Sequence, residues 1–484
     1  MNEFELKFQV PTDRLAEVAA ALQRGPAESK RLRARYFDTP DEALAQAGLV
    51  LRIRQEGGDW VQTAKGPGRG SFERLEHDFR LESSGADTSP LIARHRGHPV
   101  HELLVQALRH SPSDLQPTFE TEIERLARTV SAGGASIEIA LDRGEVRSDG
   151  RAQAVQEIEF ELKEGPPDAV IELARSWCGS HGLWLDPQSK SALGRRLAIG
   201  EPCTAPVTAQ PLQRAGRYLL AAILDTTLRQ ILGNARELAA GTGGDEHVHQ
   251  LRVGIRRLRT ALRELRESGA WGPLESRVEE ALRGLFGQLG THRDRTTLLP
   301  QLLRDVQAAG APVASWQPAL PDLRAAVRDG QVQDALVCLA GLARTLHEGD
   351  GAAPKVLRAL ATGRLQALHS KMLKGGRRFE ELPLASRHKV RKRLKRLRYL
   401  AELVRPLYDA AEVDAYVLSL KKLQDALGLY QDSVAGRSLF EERSREEPAA
   451  WFGAGWLAAQ EDRLARDCAE ACRKAARKAR PFWK

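Results

Sequence analysis

Glu3-Phe4-Glu5-Leu6-Lys7-Phe8 opens the chain, and Glu157-Ile158-Glu159-Phe160-Glu161-Leu162-Lys163 repeats its pattern far downstream, with charged and apolar residues alternating one for one. Successive side chains of a strand point to opposite faces, so each stretch reads as a strand with one packed face and one charged face. In most antiparallel sheets such a charged face meets solvent. Here the acidic strands, over 3–7, 120–124 and 157–161, are accompanied by the strand cations Arg52, Arg54, Lys65 and Arg74. A closed barrel would turn both sets inward, onto each other.

Outward from these stretches, the same alternation runs through Val50–Gln55, Trp60–Lys65, Phe72–Leu81, Phe119–Arg128 and Ile137–Leu141. Residues 168–184 predict a helix that buries Val170, Leu173, Ala174, Trp177 and Leu183. Prolines 202, 206 and 211 among small residues mark a linker. Beyond residue 212, strand alternation gives way to long Leu-, Ala-, Arg- and Glu-rich segments of helical period. The expected organisation is a sheet domain over 1–200, a linker over 201–211 and a helical domain over 212–484.

The helical half repeats itself. His249-Gln-Leu-Arg252-Val-Gly-Ile-Arg256-Arg257-Leu-Arg259 and His388-Lys-Val-Arg391-Lys-Arg-Leu-Lys395-Arg396-Leu-Arg398 share one pattern of His, cations and apolar residues. A Leu-Gly block ending in Asp follows each, with Asp294 and Asp432 placed 45 and 44 residues after the respective histidine. Two matched blocks at nearly equal spacing argue for duplication, with repeats over about 212–347 and 355–484 and a junction near Glu348–Pro354. At about 100° per residue, the His and cations of each copy fall within an arc of roughly 160°. Leu251, Ile255 and Leu258, and Val390, Leu394 and Leu397, form the opposite, core-facing stripe.

Residues 387–398 hold eight Arg or Lys and no acid. A solvated helix normally mixes signs along its polar face, so this self-repulsion calls for an anionic partner. Planar, permanently charged guanidinium groups match phosphate oxygens, and two such faces would make a polyphosphate groove. His249 and His388 add shorter donors. Asp294 and Asp432 are expected to pair with Arg or to cap the next helix.

The whole-chain balance agrees with an acidic partner: 73 Lys plus Arg stand against 64 Asp plus Glu in 484 residues, a net charge of +9. Aromatic residues make up only 5% and do not alternate with cations, which argues against a single-strand nucleic-acid platform. The five cysteines, Cys178, Cys203, Cys338, Cys468 and Cys472, include no CxxC pair and fit a reduced, cytoplasmic compartment. Cys468 and Cys472 read as packing residues on one helix face. The sequence shows no apolar signal core and no run of about 18 apolar residues, so neither export nor a membrane span is expected.

Hard carboxylate oxygens on the first strand suit Mg²⁺ or Mn²⁺, and the neighbouring cations suit phosphates. Such a site would support metal-assisted phosphoanhydride hydrolysis without a covalent nucleophile. Gly66-Pro-Gly-Arg-Gly70 is expected to be a turn, since it lacks the GK[ST] ending of a phosphate-binding loop.

Glu3-x-Glu5-x-Lys7, Tyr36-Phe-Asp-Thr-Pro40, Leu51-Arg-Ile-Arg54, Thr63-Ala-Lys65-Gly66 and Glu157-Ile-Glu159-Phe-Glu161-Leu, in this order, resemble the CYTH, or triphosphate tunnel metalloenzyme, family. The resemblance implies an α+β multidomain chain whose first domain is an eight-stranded antiparallel tunnel with flanking helices. It further implies that Lys7, Arg52, Arg54, Lys65, Arg74, Arg125 and Lys190 would hold a triphosphate. Glu3, Glu5, Glu157 and Glu159 would hold Mg²⁺ or Mn²⁺, with Glu5, Lys7 and Glu159 at the reacting centre. Residues 212–484 resemble the CHAD domain, an all-α duplicated bundle that binds inorganic polyphosphate and is found on polyphosphate granules. There His249, Arg252, Arg256, Arg257, Arg259, His388, Arg391, Lys395, Arg396 and Arg398 would form the polyphosphate face. Thr291-His-Arg-Asp294-Arg-Thr departs from that family's usual apolar continuation.

The expected activity is hydrolysis of inorganic triphosphate in the tunnel, with polyphosphate retained by the helical domain. The alternatives are a hydrolase of thiamine or nucleoside triphosphates and a non-catalytic, granule-associated polyphosphate binder. Nucleic-acid binding by the basic helices ranks behind these.

Overall fold

The structure, a computed structural model, describes residues 2–68, 70–82, 89–111, 113–200, 205–210, 212, 216–272, 274–311 and 316–484. Cys203, Arg69 and parts of the linker expected over 201–211 lie outside the described residues.

Nine strands form one antiparallel sheet: β1 (Asn2–Gln9), β2 (Glu28–Asp38), β3 (Val50–Glu56), β4 (Asp59–Pro67), β5 (Glu73–Leu81), β6 (Gln116–Ala132), β7 (Ala135–Ser148), β8 (Arg151–Glu164) and β9 (Trp184–Leu185). Their order is β5-β4-β3-β2-β6-β7-β8-β1-β9, and a further pairing of β5 with β1 closes the first eight into a barrel. In register, Lys7 lies opposite Glu159 and Glu5 opposite Glu161, while Glu3 lies opposite Arg74 on the closing strand. The short β9 hangs on β1, with Leu185 opposite Phe8.

The barrel is inverted in polarity relative to a soluble sandwich. Phe4, Leu6, Phe8, Ile137, Ile139, Leu141, Ile158 and Phe160 are buried on its outer face. The helix Asp168–His181 covers part of that face, where Trp177 meets Phe160 edge-on. The charged residues between these positions face the lumen. Toward one end the inward residues become apolar, and Leu32, Ala34, Tyr36, Phe119, Ile123, Val146 and Val155 pack with Leu193 of the helix Lys190–Ala198. The absence of a side chain at Gly194 is what admits the helix there, since a Cβ would stand 2.1 Å from the Phe119 ring.

Strand β2 is missing from the sequence-based expectation. Its apolar positions are small or mixed, Leu32, Ala34 and Tyr36 set between Arg31, Arg33 and Arg35, so the alternation is weak although the pleat is regular. Downstream of it Asp38, buried, accepts backbone N–H bonds from Thr39, Leu44 and Ala45 and so caps the short helix Ala43–Gln46.

The chain divides into two compact units. The first joins residues 1–207 with two helical segments from the second half, 231–243 and 327–347. The second comprises 208–230, 244–326 and 348–484 and is helical. In the second unit the helices Asp245–Glu264 and Leu274–Arg293 carry the first pair of matched blocks. The helices Leu384–Leu403 and Lys421–Arg443 carry the second pair. Leu251, Ile255 and Leu258, and Val390, Leu394 and Leu397, are all buried, which is the stripe the periodicity predicts. Cys468 and Cys472 are buried and free, as expected of packing residues. Among the described residues no helix is long and apolar enough to cross a membrane.

Candidate functional site

The lumen of the barrel encloses a cavity of about 270 Å³, lined by acids from β1, β5, β7 and β8 and by cations from β1, β3, β4, β5, β6 and the helix Lys190–Ala198. All seven cations expected to hold an anion lie in it or against it: Lys7, Arg52, Arg54, Lys65, Arg74, Arg125 and Lys190 line its wall.

The charges sort into two neighbourhoods. At the β1–β5 closure, Lys65 Nζ lies 2.9 Å from both Glu3 Oε2 and Glu76 Oε2. Arg52 reaches Tyr36 Oη at 3.5 Å and Glu76 at 3.8 Å. Burial pushes the Glu3 carboxyl up to about 9 in spite of Lys65. Glu76, half-buried, is instead held down at about 2 by Lys65, its hydrogen bond with Glu3 and Arg52. Arg54 ion-pairs with Glu56. The Nε groups of Arg52 and Arg54 are buried without a hydrogen-bond partner.

On β7 and β8 the carboxylate oxygens of Asp142, Glu157 and Glu159 all lie within 4.8 Å of one another. Lys190 Nζ sits among them, 2.7 Å from Asp142, 3.0 Å from Glu159 and in contact with Glu157. Arg125 donates to both Asp142 oxygens at 2.7 Å and to Glu159 at 2.5 Å. Lys7 adds a longer contact to Glu157, 3.7 Å. Burial opposes ionisation of Glu159, but Lys190, Arg125 and Lys7 outweigh it and hold the carboxyl well below its usual range. Burial works the same way on Asp142, and Lys190 with Arg125 again prevails. An oxygen-only donor set of this size fits a hard divalent cation, so the cluster could hold a metal ion. Lys190 now occupies the centre of that set.

Of the expected metal ligands, the structure brings Glu157 and Glu159 together with Asp142 and places Glu3 in the other neighbourhood. Glu5 lines the cavity and makes no ion pair among the described residues. Sequence reasoning missed Glu76, Asp78, Glu138 and Asp142. The signal for the β5 pair was present, since Arg74, Glu76 and Asp78 alternate on one strand face. Asp142 lies one residue past the expected strand end, and Ala140 interrupts its charged set.

In the helical unit the eight expected cations separate into two groups of four. Arg257 is buried against Glu402 at 2.6 Å, Arg259 meets Glu279 at 2.9 Å, Arg396 meets Glu264 at 3.0 Å and Arg398 meets Glu402 at 3.5 Å. Arg252, Arg256, Arg391 and Lys395 make no ion pair among the described residues. Arg252 instead lies over the Phe286 ring, 4.5 Å from its centroid, and donates to the Phe286 carbonyl at 3.3 Å. Burial, with Arg256, Arg391, Arg252 and Arg293 pressing on it, brings Lys395 down to about 6. Burial and Arg256 bring Arg252 down to about 10. Arg293 stands 3.6 Å from Asp294 and 3.7 Å from Asp432, so the two repeat-related acids meet at one arginine and neither caps a helix. Of the histidines, His388 bonds Gln431 at 2.8 Å, and burial together with Arg256 depresses His249.

Fold and site together define a closed β tunnel with a mixed-charge lumen, joined to a helical unit carrying a cluster of under-neutralised cations. The family models agree with that division: the CYTH domain matches residues 1–192 and the CHAD domain residues 222–441, so the chain carries a CYTH domain followed by a CHAD domain. An inorganic triphosphatase of Haemophilus influenzae is 31% identical over 163 residues, which are 33% of this chain and 44% of that protein. The chain thus matches less than half the length of that relative. An uncharacterized protein of Mycobacterium tuberculosis is 27% identical over 98% of this chain and 96% of its own length. Among solved structures, the CHAD domain from the plant Ricinus communis is 26% identical, with a TM-score of 0.46, covering 57% of this chain and 98% of that one.

Proposed function

We propose that the tunnel hydrolyses inorganic triphosphate with the help of Mg²⁺ or Mn²⁺, and that the helical unit holds inorganic polyphosphate. One observation supports the first part above others: cations and carboxylates line a cavity of about 270 Å³ inside the closed barrel instead of cancelling on an outer surface. A triphosphate needs several fixed cations along its length, and Arg52, Arg54, Lys65 and Arg74 on one side and Lys7, Arg125 and Lys190 on the other would supply them. Asp142, Glu157 and Glu159 would hold the divalent cation, whose charge would offset that of the phosphate oxygens. Glu5, free of an ion pair, would accept a hydrogen bond from the attacking water and take its proton, while Arg and Lys offset the charge on the departing phosphate.

The second part rests on Arg252, Arg256, Arg391 and Lys395, cations gathered without acid partners. Their clustering favours a linear polyanion over a single phosphate. The test is direct: the purified full chain with Mg²⁺ or Mn²⁺ should release phosphate from triphosphate faster than from thiamine triphosphate or ATP, and should retain polyphosphate in preference to duplex DNA. No turnover on any of the three substrates would leave a binding protein.

A further inference from the structure

The tunnel's compact unit includes residues 231–243 and 327–347, although both belong to the stretch matched by the CHAD model. Two side chains from these segments act on one short piece of chain, Leu185–Ser189, which leads from β9 into the helix bearing Lys190. Arg236 Nε donates to Asp186 Oδ1 at 2.9 Å. Gln333 Oε1 accepts from the Leu185 backbone N–H at 2.8 Å.

Asp186 is 2% exposed and is the fastening point of this region. Its backbone N–H donates to the Lys7 carbonyl at 2.9 Å. Its side chain accepts from Gln9 Nε2 at 3.0 Å and from the Gln188 backbone N–H at 2.9 Å. Ser189 then caps the helix by accepting from Ala192 N–H, and Lys190 is the first helical residue. One residue thus fastens β1, through its backbone N–H to Lys7 and its carboxylate to Gln9, and also the turn before the helix that presents Lys190, and both lysines act on Glu157. A buried carboxylate of this kind requires a compensating charge, and Arg236 provides it.

We propose that Arg236 is a positioning residue for the tunnel: through Asp186 it sets Lys190 and Lys7 over the Asp142–Glu157–Glu159 cluster, so that the helical half of the chain supplies a working part of the N-terminal site. This rests on the proposed role of Lys190 in holding triphosphate. It assigns a function to segment 231–243 that neither family model records.

The test is a double-mutant cycle in the full chain, read as steady-state turnover of triphosphate and as triphosphate binding by calorimetry. Arg236→Ala should raise KM tenfold or more, Arg236→Lys should restore much of the loss, and polyphosphate retention should stay at the parental level. Arg236→Ala combined with Lys190→Ala should lose clearly less than the sum of the two single losses, because Arg236 acts in large part through Lys190 and only the share routed through Lys7 remains. Asp186→Asn with Arg236→Gln removes both charges of this pair, leaves the buried Glu237, which Arg236 also contacts, to Arg196 at 3.5 Å, and should show the same KM defect in a folded chain. Turnover by Arg236→Ala within twofold of the parent, or additive losses in the cycle, would overturn the inference. So would loss of triphosphate and polyphosphate binding together, persisting in the neutral double variant, since Arg236 would then serve the fold alone. A parent chain that neither turns over nor binds triphosphate would instead sink the reading of the tunnel itself.

Discussion

Lys190 Nζ lies 2.7 Å from Asp142 Oδ2, and the Asp142 side chain is wholly buried. With Glu157 and Glu159 completing its shell, the ammonium holds the place a divalent cation would take among these oxygens. A metal ion entering this set would have to displace Lys190. Removing the ammonium should leave three carboxylates, two of them buried, short of one cation. Lys190→Ala is expected to bind Mn²⁺ about tenfold more tightly or better in the absence of triphosphate, while its KM for triphosphate rises. Calorimetric titration with Mn²⁺ alone, alongside steady-state kinetics, checks both halves; unchanged Mn²⁺ affinity would show that the ion binds elsewhere.

Asp142 and Glu159 also set how the fold responds to acid. Both are held below the usual carboxylate range, by Lys190 and Arg125 acting against burial. The unfolded chain takes up these protons near pH 4, whereas the native state resists them. Their contribution is thus present above that pH and is lost as pH falls through the native values. Asp142→Asn should be about 3–5 kcal/mol less stable than the parent at pH 7, because Arg125 and Lys190 lose a buried partner. The gap should narrow toward pH 3, as read from denaturant unfolding across that range.

Much of this site was legible in the strands and little of it in the loops. Glu3, Glu5, Lys7, Glu157 and Glu159 announce themselves because a strand keeps a strict period of two, and a charged set on two separate strands implies a shared lumen. Arg125 and Lys190 came from family resemblance, since neither sits in a strongly alternating stretch. Asp142 was missed because Ala140 dilutes its row, and β2 because Ala34 does the same. The role of 231–243 was beyond reach: Arg236 and Asp186 are 50 residues apart, and helical periodicity records which face is buried, not what it is buried against. In the helical unit the single-face argument grouped ten residues, and tertiary acids then claimed Arg257, Arg259, Arg396 and Arg398.

Glu5 lines the tunnel without an ion pair among the described residues, so its replacement should separate chemistry from folding. Glu5→Gln keeps the shape and removes the base. Turnover should fall by roughly 100-fold or more, in the range expected for a positioned general base. Thermal stability should be unchanged and triphosphate binding retained. A matching fall in triphosphate affinity would assign Glu5 to ligand holding instead.

The two groups of helical cations should respond differently to mutation. Charge reversal of Arg252, Arg256, Arg391 and Lys395 to Glu should abolish polyphosphate retention. Single alanine changes in this set should each lower the slope of log affinity against log salt by about one unit. Arg257→Ala and Arg396→Ala should instead reduce stability, because each removes one of two arginine partners of an acid, Glu402 or Glu264, and should leave the salt slope nearly unaltered. Polyphosphate binding at two or more salt concentrations, paired with thermal unfolding, distinguishes these outcomes.

Lys395 would couple polyphosphate binding by this cluster, as proposed, to uptake of a proton. Burial and the surrounding Arg256, Arg391, Arg252 and Arg293 bring it down to about 6, whereas an unfolded lysine titrates near 10.4. Between these values the unfolded chain carries a proton that the native state lacks, so stability rises with pH across the window; Lys395→Met should flatten that rise. A bound polyanion reverses the electrostatic balance by favouring the ammonium form. At pH 8, therefore, polyphosphate binding should draw in a proton at Lys395. Calorimetry in buffers of different ionisation enthalpy should show this uptake for the parent and its loss in Lys395→Met. Equal proton uptake by both chains would place the titrating group elsewhere in the cluster, with His249, also depressed by burial and Arg256, the next candidate.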